Sequence, residues 1–172
     1  MRTFVFTVFL VLFGQQSMAQ NASGQQIMLV DALDEPEFYC FDLTGFGDHL
    51  ALEDPIQAHS CKLPERGPDQ MFSFDGDQIQ VVGYDRCLQA SGTGDTTLPG
   101  ASILARECSD TAKVQRFELD DSGKLYVKDT GFCIGVSASS TPARGPSHLW
   151  RALFVMECDG DESLSTWQIG LN

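Results

Sequence analysis

Basic side chains are scarce in this sequence. Eleven Lys and Arg stand against 24 Asp and Glu, a formal charge of −13 over 172 residues. Such a surface repels phosphate backbones and anionic lipid, which argues against nucleic acid and against membrane attachment through a polybasic patch. Its plainer consequence is solubility. Helical periodicity is missing too: no window keeps an apolar stripe at helical spacing over enough turns to specify a helix. The chemistry of common enzymes is equally absent. His49, His59 and His148 lie in different segments, there is no Gly-x-Ser-x-Gly elbow, and no glycine motif cradles a phosphate. Cysteines and histidines do not cluster at zinc spacing. The acidic turn Asp159-Gly160-Asp161-Glu162 lacks the spaced ligands of a calcium loop. Nothing among the carboxylates singles out an acid pair for glycoside hydrolysis. The reading is of a protein that is not an enzyme and needs no cofactor or metal.

What is present begins with a leader. Met1-Arg2 is a positive start, Thr3 to Phe13 is an unbroken apolar run too short to span a bilayer, and Ser17-Met18-Ala19 is a small-x-small cleavage site before Gln20. Residues 1–19 are therefore expected to be a cleaved signal peptide, and the mature chain to be secreted or periplasmic. Six cysteines follow, an even number that in an exported chain reads as disulfides.

The cysteines mark three copies of one unit. Each copy opens on an apolar-flanked cysteine: Cys40 in YCFD, Cys87 in RCLQ and Cys133 in FCIG, at intervals of 47 and 46 residues. Each reaches a second cysteine through a strand-like segment (IQAHSC to Cys61, SILAREC to Cys108, ALFVMEC to Cys158) and closes on an aromatic, Phe72, Phe117 or Trp167. Such a period marks a repeat architecture. Six cysteines allow fifteen pairings, but equivalent units make one far simpler: Cys40–Cys61, Cys87–Cys108 and Cys133–Cys158. Before each first cysteine lies a further β-rich run, Gln26 to Val30, Gln78 to Val82 and Lys124 to Val127, after turn signals such as Asp75-Gly76-Asp77. Twelve short strands with polar turns imply an all-β, closed or nearly closed barrel.

The cysteine pairs, the DGDQI and DDSGKLYV openings, the CFDL, CLQA and CIGV strands and the closing aromatics resemble the ricin B-type lectin family, over essentially all of Ser23 to Gly170. The resemblance implies a β-trefoil of three pseudo-equivalent repeats, about 23–74, 75–119 and 120–170, with one disulfide each. The family's closing Gln-x-Trp reads here Gln70-Met71-Phe72, Gln115-Arg116-Phe117 and Ser165-Thr166-Trp167. Its aromatics should meet in a shared core, where Phe substitutes for Trp at the cost mainly of volume.

The resemblance also implies a glycan partner, of galactose type, and locates its site. A sugar site needs a carboxylate or amide for adjacent hydroxyls and a ring for the apolar sugar face. In the first unit Asp42 falls on the family's sugar-binding aspartate, His59 on its stacking aromatic, and Asp69-Gln70 on its amide pair. The second unit offers Gln89, Arg106, Val114 and Gln115, and the third Gly135, Met156, Leu164 and Ser165, so two of the three sites are expected to be dead. Trp150 lies in the long loop RGPSHLWRA, where an indole either offers a platform from outside the motif or folds back over the barrel. A protein partner in place of a sugar, as for a toxin's receptor-targeting subunit or a protease inhibitor, is the alternative.

Overall fold

The computed structural model describes residues 24–145 and 148–170; the expected signal peptide lies outside the described residues. Among these, thirteen strands and five single 3₁₀ turns make up the regular structure. In chain order the strands are β1 (Ile27–Leu29), β2 (Tyr39–Asp42), β3 (Gln57–Ser60), β4 (Phe72–Asp75), β5 (Gln78–Val81), β6 (Arg86–Ala90), β7 (Ile103–Arg106), β8 (Phe117–Leu119), β9 (Leu125–Val127), β10 (Phe132–Val136), β11 (Thr141–Pro142), β12 (Leu149–Glu157) and β13 (Trp167–Ile169).

Twelve of these are the strands that the repeat predicts, and their pairing closes a ring. The last strand of each unit pairs antiparallel with the first strand of the next: β4 with β5, β8 with β9, and β13 back to β1. Within each unit the ring is completed by one backbone bond of the same kind, Phe72 N–H to Gln25 O at 2.9 Å, Phe117 N–H to Asp77 O at 2.7 Å and Trp167 N–H to Gly123 O at 2.7 Å. A six-strand barrel with no free edge results, which removes the unpaired donors and acceptors an open sheet would expose. The tight turn from β4 to β5 needs Gly76, whose φ of +60° suits a two-residue hairpin loop.

The remaining long strands form three hairpins, β2–β3, β6–β7 and β10–β12, that cap one end of the barrel. This is a β-trefoil. The disulfides are those expected, Cys40–Cys61, Cys87–Cys108 and Cys133–Cys158, one per hairpin, and no cysteine among the described residues is free. Each closes a loop of some 20 residues and contributes on the order of 3 kcal/mol by limiting the unfolded chain.

Strand alternation decides what fills the barrel. The three closing aromatics each face an aliphatic residue of the following unit: Phe72 opposite Val81, Phe117 opposite Val127, and Trp167 opposite Leu29. All six belong to one buried cluster. Phe41 from the cap joins them, edge-on to Trp167 at 4.6 Å and to Phe72 at 6.0 Å between ring centroids. The indole N–H of Trp167 donates to Ile134 O at 2.8 Å, so the larger ring is accommodated with its polar atom satisfied.

The third hairpin departs from the sequence reading. It carries an extra strand, β11, and β12 runs for nine residues where β3 and β7 run for four. Trp150 is therefore not in a loop. It sits in β12, between Thr141 of β11 and His59 of β3.

Candidate functional site

The register of three strands assembles the site. In antiparallel sheets directly opposed residues share a face. Cys40 opposes His59, which opposes Trp150; Asp42 opposes Gln57, which opposes Ala152. Period-2 alternation then puts Asp42, Gln57, His59 and Trp150 on one face of β2–β3–β12, and turns Tyr39, Phe41, Ala58 and Arg151 to the other. The first set lines a groove of ≈ 820 Å³, with Phe46, His49, Lys62, Arg144 and His148 around it. The second set is buried.

Polar contacts, most of them part-buried, fasten the β12 extension to the first unit. Arg151, under the groove, reaches Asp34 Oδ1 at 2.5 Å and Ser137 O at 2.5 Å, and its guanidinium lies 5.0 Å from the centre of the Tyr39 ring. The Ser140 hydroxyl, followed by Arg151 and Tyr39, holds the Asp34 carboxyl well below the usual carboxylate range. The Glu35 carboxylate accepts from Leu149 N–H at 3.0 Å and from the Ser60 hydroxyl. The groove's far wall is thus anchored rather than loosely apposed.

Asp42 is 1% exposed, and its two oxygens are used differently. Oδ2 accepts from Gln70 Nε2 at 2.7 Å and from Lys62 Nζ at 2.7 Å; Oδ1 accepts from Gln57 Nε2 alone, at 3.2 Å. A carboxylate oxygen has room for two donors, so Oδ1 retains capacity for a second one. Lys62 Nζ also reaches Asp69 Oδ2 at 2.5 Å, bridging the two acids. Burial pushes the Asp42 carboxyl above its ordinary range against the pull of Lys62. Burial pulls the ammonium of Lys62 down, but Asp42 and Asp69 together outweigh it and hold that group above its ordinary range.

The four residues expected from the sequence thus come together, but in two layers. Asp42 and His59 line the groove; Gln70 and Asp69 stand behind. Gln70 is fully buried, and its amide accepts from Lys62 N–H at 2.8 Å and from Gln26 Nε2 at 2.9 Å while donating to Ser60 O at 3.1 Å and to Asp42. Its position is that of a clamp on the carboxylate. Gln57 and Lys62 were not among the expected residues. Gln57 was legible in principle, two residues before His59 and so on the same strand face; Lys62 carries no such signal, because a residue just after a cysteine has no fixed direction.

The other two units carry different side chains at these places. In the second, Gln115 accepts from Gln78 Nε2 at 3.3 Å and from Ser109 N–H at 2.8 Å, and donates to Gln89 Oε1 at 3.0 Å, a neutral amide where Asp42 stands in the first. In the third, Lys124 Nζ donates to Ser165 Oγ at 2.7 Å, and Gly135 takes the aspartate's place. There the space itself is filled: a Cβ on Gly135 would lie 2.1 Å from Met156 Sδ and 2.9 Å from Leu164 O. Gly135→Ala is accordingly expected to destabilise the fold by about 1–3 kcal/mol through overpacking, and Met156→Ala in the same chain to recover part of it. Thermal melts of the two variants measure both steps.

A barrel of six strands, three disulfide-closed hairpins and a carboxylate held in a groove at one of three equivalent places define a lectin-type trefoil. The sequence matches the ricin-type beta-trefoil lectin domain over residues 34–168, and the chain belongs to that family. No curated protein matches it at a significant level. Among solved structures it is similar in fold to a mutant of the earthworm lectin C-terminal domain in complex with 6'-sialyllactose (14% identity, TM-score 0.61, covering 86% of this chain and 98% of that one). It is also similar to the agglutinin from Abrus precatorius (20%, 0.60, 90% and 51%) and to cytolethal distending toxin from Actinobacillus actinomycetemcomitans (17%, 0.57, 88% and 93%). No helix among the described residues is long and apolar enough to cross a membrane.

Proposed function

We propose that this chain is an exported, non-catalytic carbohydrate-binding module with one working site, in its first repeat, for a galactose-type sugar. The observation that carries the reading is the carboxylate of Asp42 in the groove lining, fixed by Gln70 and Lys62 on Oδ2 and with room for a second donor on Oδ1. A sugar hydroxyl donates to Oδ1, a second exchanges with the Gln57 amide, and His59 with Trp150 beside it covers the ring face. Similar structures support the ligand class, the earthworm R-type lectin C-half being in complex with GalNAc and a Momordica charantia homologue of type II RIPs with α-methyl-D-galactoside. Export is supported by the three disulfides, which persist in oxidising compartments.

Imidazole covers less of a sugar than indole does, and the groove is open. Affinity should therefore be near the millimolar level, about −4 kcal/mol. With one site per chain, useful capture requires a multivalent surface or partner. Saturation-transfer NMR or calorimetry with galactose and methyl galactoside tests the reading: the native protein should bind and Asp42→Ala should not. Equal binding by both proteins would take the site away from Asp42, and silence at high millimolar sugar would refute the lectin reading.

A further inference from the structure

The groove differs in charge from the rest of the molecule. Carboxylates outnumber cations by 24 to 11 along the chain, yet among the described residues the only one lining the groove is Asp42, which is buried and paired with Lys62. All three histidines of the chain, His49, His59 and His148, line it instead, together with Arg144. They come from separate segments: the loop after β2, β3 itself, and the two sides of the β11–β12 turn. Arg144 is exposed and has no ion pair among the described residues. The rings of His59 and His148 are 5.9 Å apart. Of the other carboxylates, Asp69 is taken up by Lys62, and Asp34, Glu35 and Glu37 line a smaller cavity that meets the groove at Pro142 and His148.

Arg144 and His148 sit on the part of the third hairpin that its equivalents lack, facing His49 and His59 of the first unit. The separation of Cys133 and Cys158 is 25 residues against 21 in the other two units, and the added chain forms β11 and the start of β12. A site within one repeat becomes a groove shared between two. Its volume of ≈ 820 Å³ lies toward the upper end of the range of small-molecule clefts, roughly 300–1,000 Å³.

We propose that this extended groove selects an acidic glycan, with the carboxylate of a uronic or sialic-acid type sugar set against Arg144 and His148 while its hydroxyls or those of the adjoining ring meet Asp42 and Gln57. The proposal rests on the sugar-binding reading of the same groove. The guanidinium fork matches a carboxylate in two parallel hydrogen bonds, which an ammonium cannot do. The histidine rings add N–H donors. A neutral sugar gains nothing from this wall, and a simple anion gains nothing from Asp42, whose charge opposes it.

Galactose and galacturonate form the matched pair for a test, since they differ only in the acidic group, with acetate as the control for charge alone. In titrations followed by NMR at low salt, the native protein should bind galacturonate about fivefold more tightly than galactose, the worth of one well-formed exposed ion pair. Half-molar salt should shrink the difference, and Arg144→Gln should abolish it while leaving galactose affinity and thermal stability unchanged. Equal affinity for both sugars in the native protein overturns the acidic preference and leaves the sugar site standing. Binding of neither overturns both. Acetate shifting the same resonances at the same concentration as galacturonate overturns the proposal by reducing it to nonspecific anion attraction.

Discussion

Trp167→Ala should lower the stability of the fold by about 3–5 kcal/mol, a large share of what holds a domain of this size together. The indole is 1% exposed, packs edge-on against Phe41 and faces Leu29 across the seam between the last and first strands. That seam is where the barrel closes on itself. Truncation opens a cavity that the surrounding disulfide-closed hairpins cannot collapse into, and leaves Ile134 O without the indole donor. The melting temperature should fall by on the order of 10 °C. Trp167→Phe should recover most of this loss. Phe already occupies the equivalent positions 72 and 117, so most of the packing is retained, and the remaining loss of about 1–2 kcal/mol combines the smaller ring's missing volume with the carbonyl's missing donor. An Ala variant that melts with the parent would remove Trp167 from the core.

How far the sequence foretold the molecule depends on how local each signal is. The barrel was legible because its evidence is repeated: three cysteine pairs, three aromatics and three first strands make the same statement, and errors in one copy do not erase it. The start of the strand Leu149–Glu157, ahead of Ala152, was not, because that extension exists in one copy only. Its first residues read as loop from the neighbouring Arg144-Gly145-Pro146-Ser147, and only pairing with His59 and Ala58 makes them strand. In the same way, Asp42 and His59 announced themselves by fixed offsets from Cys40 and Cys61, whereas Lys62 shows its role only through contacts that fall 7 and 20 residues away in sequence. A functional reading by motif finds what the repeat preserves. What distinguishes the third unit from the other two was added outside the repeat, and tertiary pairing makes it visible.

Lys62 therefore supports the second large prediction. Among the described residues its ammonium is the only cation in contact with two carboxylates that are 1% and 4% exposed, Asp42 and Asp69. Lys62→Met preserves most of the stem's volume and removes the charge, leaving two acids buried without a counter-ion. Breaking a buried pair from one side costs about 3 kcal/mol at neutral pH, somewhat less here because the lysine is itself partly exposed. The pH dependence gives the mechanism away. Burial already raises the Asp42 carboxyl, and losing Lys62 raises it further. An acid whose folded value lies above its unfolded value, about 3.9, destabilises the fold fully above the folded value. The cost fades as pH falls through that value and is gone below the unfolded one. The gap in stability between parent and Lys62→Met should thus be widest near pH 7 and narrow steadily toward pH 4. If Lys62 mattered only by packing, the gap would stay constant. Adding Asp42→Asn and Asp69→Asn to Lys62→Met should restore most of the lost stability at neutral pH while leaving the protein unable to bind sugar, because an amide at position 42 offers the groove no charged acceptor. Denaturant melts at pH 4, 5.5 and 7 on the three proteins decide the matter, and a gap that fails to narrow would mean that Lys62 does not neutralise the pair.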